Sequence, residues 1–149
     1  KSIKVIKLSQ KIEDDEIQKI LKKYKFPKIE GEKFIPETYL YNQLDAEGEL
    51  ATIKDGVYVC EYLNDGYTNN SVKLINNNPK GYILAAEQEL TIAKKIEERL
   101  KASAKIVLGN WLAKNKGFIK RYDNKFLIIL SMPLAYVIYL KKYKSSRKR

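Results

Sequence analysis

The stretch FLIILSMPLAYVIYL, from Phe126 to Leu140, decides how the C-terminal part of this chain folds. It contains fifteen residues without a charge, and basic residues lie on both sides of it. A membrane-spanning helix needs about 20 apolar residues, and Pro133 near the centre would interrupt its hydrogen bonds. The stretch is rich in β-branched and aromatic residues, which favour strands. We therefore predict two buried strands joined by a turn at Ser131-Met132-Pro133. The alternative is a short membrane anchor formed by residues 126–140.

The residues around this stretch extend the strand pattern. Asp123-Asn124 is a typical turn pair, and it separates Phe118–Tyr122 from Lys125–Ser131. This arrangement predicts a hairpin, and Ala135–Lys144 predicts a further strand beside it. The C-terminal part is therefore expected to be a β-hairpin or a three-stranded sheet.

The centre of the chain carries two further turn signals, Asp55-Gly56 and Asp65-Gly66. Asp-Gly between alternating apolar runs is a strong hairpin signal, because both residues tolerate positive φ. The runs that these turns separate are Glu49–Lys54, Val57–Leu63 and Tyr67–Asn76. They predict a three-stranded antiparallel β-meander.

Two segments have the periodicity of helices. The segment Lys11–Tyr24 has acidic residues in its first turns and lysines in its last, an order that the helix dipole favours. The segment Ala85–Leu112 carries apolar residues at steps of three or four, including Leu100, Ala104 and Trp111. This stripe predicts one long amphipathic helix.

Together these elements predict a single α+β domain at residues 1–144, followed by a basic tail at residues 145–149. Its order is a short N-terminal helix, the meander, the long helix and the C-terminal hairpin or sheet. A chain of 149 residues can build a sufficient core without disulfides or metals.

The charge is concentrated in the C-terminal half. Residues 1–80 are neutral, with 13 basic and 13 acidic side chains, whereas residues 81–149 carry 16 basic and 5 acidic ones. The whole net charge of +11 therefore lies in the second half. Such segregation attracts phosphate polyanions, anionic lipid headgroups or an acidic protein, although a general solubilising bias is an alternative reading.

The composition excludes several kinds of chemistry. The chain has one cysteine and no histidine, so it has no disulfide framework, no cysteine zinc site and no histidine-dependent triad. Asp123 and Lys125 match the end of a nuclease-like (D/E)xK pattern, but a turn explains them better. We therefore predict a non-enzymatic protein without a cofactor or a metal site.

Cations and aromatic rings alternate in the basic half, a pattern typical of nucleic-acid binding, because cations neutralise phosphates and rings stack on bases. The predicted contact residues are Lys114, Lys116, Lys120, Arg121, Tyr122, Lys125, Lys141, Lys142, Tyr143, Lys144, Arg147, Lys148 and Arg149. We predict a basic protein that contacts DNA or RNA through this half. The first alternative is a structural subunit of a larger assembly, tethered to a membrane by residues 126–140. The second is a carboxylate-based enzyme.

The N-terminal residues lack the apolar core of a signal peptide, which predicts a cytoplasmic protein.

One local resemblance concerns the stretch Trp111–Leu127, WLAKNKGFIKRYDNKFL. It resembles a helix-to-hairpin stretch in degenerate GGDEF domains of cyclic-di-AMP phosphodiesterases, and it covers 17 of the 149 residues. The resemblance implies a helix followed by an antiparallel hairpin. It implies no activity, because the histidines of that family's catalytic DHH domain have no counterpart in this chain.

Overall fold

The computed structural model describes Lys19 and residues 22–45 and 70–144. Within these ranges the regular elements are helical, and no strand is present. The α-helices are α1 (Thr38–Asp45), α2 (Ser71–Asn77), α3 (Pro79–Ile92), α4 (Ile96–Leu112) and α5 (Lys125–Ile138). A 3₁₀ helix, Phe118–Arg121, precedes α5, and a π-helical segment, Tyr139–Lys144, continues it. The predicted α+β class is therefore wrong for this part of the chain.

The meander prediction falls mostly outside the described residues, which include neither its first two strands nor either Asp-Gly turn. The last part of its third strand is described, and it forms α2 instead. Val72 and Ile75 pack against the core from this helix, and their spacing of three residues suits a helix rather than a strand. Of the predicted helix Lys11–Tyr24, only Lys19 and residues 22–24 are described. Lys19, Lys22 and Lys23 are helical, and Tyr24 is not.

The predicted long helix Ala85–Leu112 is helical, but it is two helices instead of one. The chain becomes extended at Ala93 and Lys95 and separates α3 from α4. The Glu98 carboxylate accepts hydrogen bonds from the backbone N–H groups of Lys94 and Lys95, each at 3.1 Å. These bonds satisfy donors at the start of α4 that would otherwise have no partner. Residues 93–95, where the helix is interrupted, include no glycine or proline. The sequence pattern therefore gave no signal for the break.

Helix α4 lies at the centre of the fold and packs against α3 and α5. Ala104, Ile106, Val107 and Leu108 are fully buried there. The helices α3 and α4 are antiparallel, since the end of α4 meets the start of α3. A Cβ added at Gly109 would lie 2.6 Å from Ile83 Cγ1. Small residues therefore permit the close approach of these two helices.

The segment before α1 is attached to α3 by side-chain hydrogen bonds. The Glu32 carboxylate accepts the N–H groups of Lys80 and Gly81 at 2.8 and 2.7 Å, so it caps the start of α3. Asn78 Oδ1 accepts the N–H groups of Lys33 and Phe34 at 2.8 and 3.2 Å. These contacts fix residues 32–34 against the first turn of α3.

The predicted C-terminal hairpin and three-stranded sheet are wrong, because residues 125–138 form α5. Asn124 is the cap of this helix and not a turn residue, since its Oδ1 accepts the N–H of Leu127 at 2.9 Å. The buried positions Leu127, Ile128, Ser131 and Ala135 follow helical spacing. Pro133 lies within the helix, on its exposed side. The hairpin implied by the resemblance to GGDEF domains is likewise absent from residues 118–144.

Candidate functional site

The most unusual surface of the described structure is the side of α5 that faces away from α4. Six large apolar side chains are exposed there, with exposed fractions from 39% at Leu134 to 75% at Phe126. At 100° per residue they cover roughly half of the helix circumference. We call this surface the α5 outer face: Phe126, Ile129, Leu130, Leu134, Tyr136 and Val137.

The opposite side of α5 is equally apolar but buried. Leu127 and Ile128 are 4% and 1% exposed, and Ala135 is fully buried. Ser131, also buried, donates its hydroxyl hydrogen to the carbonyl of Ile128 at 2.8 Å, so its polar group is satisfied within the helix. Helix α5 is therefore apolar on all sides while only one side is covered, which is unusual for a surface helix.

The helical segment Lys125–Lys144 is long and apolar enough to cross a membrane, judged by length and composition alone. It has 20 residues and a mean hydropathy of 1.4, and 28% of its most apolar window is buried. Within the described ranges it is the one helix that meets these criteria.

The structure distributes the predicted nucleic-acid-binding residues over several places. Lys114 and Lys116 follow the end of α4, and the next group lies at the start of α5: Lys120, Arg121, Tyr122 and Lys125. A further group ends the π-helical segment: Lys141, Lys142, Tyr143 and Lys144. The uncharged outer face separates these two groups by about 24 Å along the axis, at 1.5 Å per residue. Arg147, Lys148 and Arg149 lie outside the described residues.

The two predicted stacking tyrosines are both engaged inside the protein. The Tyr122 hydroxyl donates to Glu87 Oε1 at 2.6 Å, and burial together with this bond raises the pKa of Tyr122 to about 12. Tyr143 is buried and stacks on Tyr139 with a centroid distance of 6.3 Å. Burial raises the pKa of Tyr143 to about 12. The described cations of the predicted site are exposed, whereas Tyr143 is buried and the Tyr122 hydroxyl is bonded to Glu87.

The connection from α4 to α5 is held in a defined conformation. Lys114 and Gly117 both have positive φ, 54° and 77°. Asn115 Nδ2 donates to Asn110 Oδ1 at 2.8 Å, and buried Asn110 donates to the carbonyl of Ile106 at 2.9 Å. The bases of this connection are therefore presented from an ordered loop.

An aromatic depression borders the outer face. It is shallow and open, and it is lined by Trp111 of α4 and by Tyr136 and Tyr139. Tryptophan and tyrosine are the side chains that favour an environment apolar at one end and wet at the other. Trp111 belongs to the apolar stripe predicted for Ala85–Leu112, and the structure places it partly exposed at the edge of the core.

A second cavity, about 240 Å³ in volume, lies among α1, α2, α3 and α4. Its wall is mainly apolar, with Phe34, Leu74 and Ile75 among its residues. The ion pair between Lys105 and Glu89, 2.5 Å between Nζ and Oε2, forms a polar edge. Nothing in the sequence marked this cavity. Separately, the described ranges contain no group of three Cys, Asp or Glu side chains suited to a metal ion.

The chain matches no protein-family model, no curated protein and no solved structure. The surfaces that bear on its function are the outer face of α5 and the basic residues around it.

Proposed function

We propose that this chain is a non-enzymatic protein that attaches to a membrane through the α5 outer face. The observation that carries the proposal is the six exposed apolar side chains on one side of a single helix. No charged residue interrupts the sequence from Phe126 to Leu140. Contiguous apolar surface of this kind on a soluble domain marks an interaction site.

The free energy available from covering this face is substantial. Complete burial of a large apolar side chain contributes about 1.5–3 kcal/mol. The six side chains are on average about half exposed, so covering them contributes roughly 5–9 kcal/mol before the cost of association. A single acyl chain, at about 0.8 kcal/mol per buried CH₂, gives only marginal and reversible membrane binding. Attachment through the outer face therefore needs a second contribution, from the basic residues near its ends.

The charges around the face favour lipid over nucleic acid as its occupant. A nucleic acid needs cations along its path, and the outer face has none over fifteen residues. A bilayer surface instead offers an apolar layer beneath a layer of headgroups, and an exposed apolar face with basic residues near its two ends fits both. The exposed Lys125 and Lys141 at the two ends of the face suit anionic headgroups.

Vesicle flotation of the full chain tests this proposal. The variant Phe126→Gln/Leu130→Gln/Val137→Gln removes apolar surface from exposed positions, so it should fold normally and lose flotation. The control variant Thr91→Gln/Glu97→Gln changes two exposed polar positions away from the outer face, and it should float like the wild type. Failure of the wild-type chain to float with vesicles of any composition would contradict membrane attachment.

The same preparations distinguish lipid from a protein occupant. If the outer face covered a second copy of the chain, sedimentation would show a dimer that the outer-face variant dissociates. A monomeric wild-type chain that binds vesicles supports the proposal, and a dimer that ignores vesicles overturns it.

Nucleic-acid binding is a second candidate, favoured by the connection between α4 and α5. Residues 113–125 contain five basic side chains and one acidic side chain, Asp123. All five bases are exposed, and within the described ranges none forms a side-chain ion pair.

If this loop binds DNA or RNA, affinity should fall steeply as the salt concentration rises. The variant Lys116→Gln/Lys120→Gln/Arg121→Gln should weaken binding, whereas Lys28→Gln/Lys73→Gln/Lys80→Gln should have little effect. A salt-independent affinity would contradict this candidate.

A further inference from the structure

Lys125 at the start of α5 and Lys141 in the π-helical segment that continues it lie on the same side of the helix as the outer face. Lys125 is two residues before buried Leu127, and Lys141 is two residues before buried Tyr143. Two residues correspond to roughly half a helical turn. Because Leu127 and Tyr143 are directed into the core, the exposed Lys125 and Lys141 are directed away from it.

The inner side of α5 cannot meet lipid while the fold is intact. Leu127, Ile128 and Ala135 are buried, and α5 packs along α4. Helix α4 carries several charged side chains, among them Lys101 and Lys105. A spanning orientation of the intact fold would bring these charges into the hydrocarbon layer, which is costly. A spanning α5 would instead have to leave α4 and expose its buried Ser131.

We propose that α5 lies flat on one surface of a bilayer that contains anionic lipids. In this orientation the outer face enters the boundary between headgroups and acyl chains. Lys125 and Lys141 then meet headgroups of the same leaflet at the two ends of the buried stripe. This inference rests on the proposed membrane attachment, and it adds the class of lipid and the orientation of the helix.

The first experiment compares flotation with vesicles of phosphatidylcholine alone and with vesicles that contain phosphatidylglycerol in roughly equal part. The full chain should bind the anionic vesicles at least tenfold more tightly, and added salt should reduce the difference. Each lysine near an anionic surface contributes enough that Lys125→Gln/Lys141→Gln should lower the affinity about 30-fold. The matched variant Lys73→Gln/Lys80→Gln, which removes the same charge from α2 and α3, should retain the wild-type affinity.

The second experiment determines the orientation. Lys120→Cys and Lys144→Cys are prepared separately in a Cys60→Ser background, and vesicle-bound protein is treated with a membrane-impermeant maleimide. A flat helix places both thiols outside the vesicle, so both should react completely. A spanning helix would protect one of the two until detergent is added, and that result would overturn the flat orientation.

The outcomes test membrane attachment, the class of lipid and the role of the two lysines separately. Absence of flotation with both kinds of vesicle would overturn membrane attachment itself. Equal affinity for neutral and anionic vesicles would overturn the lipid class while attachment stands. Preference for anionic vesicles that survives Lys125→Gln/Lys141→Gln unchanged would overturn the assignment of these two lysines.

Discussion

Four consecutive residues of α5 give a sharp test of the fold: Leu127, Ile128, Ile129 and Leu130. The first two are 4% and 1% exposed, and the last two are 52% and 51% exposed. Two buried neighbours followed by two exposed neighbours are the pattern of a helix with one covered side. A strand would instead alternate, so that Leu127 would resemble Ile129 and Ile128 would resemble Leu130.

Alanine at each of these positions should reproduce this pattern in stability. Leu127→Ala and Ile128→Ala each remove a buried side chain and should lower the free energy of unfolding by about 2–5 kcal/mol. Ile129→Ala and Leu130→Ala lose about half as much buried surface, and alanine's higher helix propensity offsets part of that loss. Their cost should stay below about 1 kcal/mol.

Urea unfolding followed by circular dichroism at the helical minimum, with the fluorescence of Trp111 as a second probe, measures the four values. The dependence on urea should be the same in all variants, which shows that the midpoints report stability. An alternating series, in which positions 127 and 129 are costly and positions 128 and 130 are mild, would refute the helical assignment.

Three further predictions concern the packing and the polar contacts. Gly81→Ala should destabilise the fold by about 1–2 kcal/mol in thermal melts. The added Cβ would overlap the carbonyl oxygen of Phe34, and this overpacking outweighs the gain in helix propensity. Unchanged stability would contradict this contact. Tyr122→Phe should cost about 1 kcal/mol in urea unfolding, since Glu87 loses its hydrogen bond, and Glu87→Gln/Tyr122→Phe should cost less than the sum of the two single changes. Two backbone N–H groups hold the pKa of Glu98 below its usual value. The ionised carboxylate therefore stabilises the fold at pH values above the ordinary glutamate pKa, and this stabilisation is lost as the pH falls through the lowered pKa. The acid-side loss of stability should be smaller in Glu98→Gln, and identical pH profiles would refute this assignment.

The sequence predicted the helical nature of the centre of the chain but not its division. The apolar steps through Leu100, Ala104 and Trp111 indicate a helix, and this segment is helical. The same steps continue across Ala93, where the chain turns, because the signal for a new helix is the side chain of Glu98 and not a helix-breaking residue. In the sequence, a glutamate that caps a helix looks the same as an ordinary surface glutamate.

The C-terminal prediction failed for a different physical reason. Periodicity separates strands from helices only where polar residues mark the uncovered side, and residues 126–140 have apolar residues on every side of α5. Propensity then favoured strands, although Ile128, Ile129, Val137 and Ile138 are all accommodated in helix. Pro133 supported a turn, yet it lies inside α5 on the exposed side. Because proline has no backbone N–H, the helix lacks one intrahelical hydrogen bond there.

The candidate site was predicted in part. The exposure of the described cations could be predicted from their residue type, since lysine and arginine are rarely buried. The engagement of Tyr122 with Glu87 joins residues 35 positions apart, and no local pattern indicates such a contact. The exposure of the outer face likewise depends on which side α4 covers, and only the tertiary structure defines that side.

The most direct test of membrane attachment is a spin label at Ile129→Cys in a Cys60→Ser background, with Lys101→Cys on α4 as its control. Collisions with dissolved oxygen and with a water-soluble nickel complex report whether each label lies in lipid or in water. On addition of anionic vesicles, the label at position 129 should gain oxygen collisions and lose nickel collisions, while the label at position 101 should remain in water. A label at position 129 that stays in water while the protein is vesicle-bound, or that never becomes vesicle-bound, would contradict the attachment of this protein through the outer face of α5.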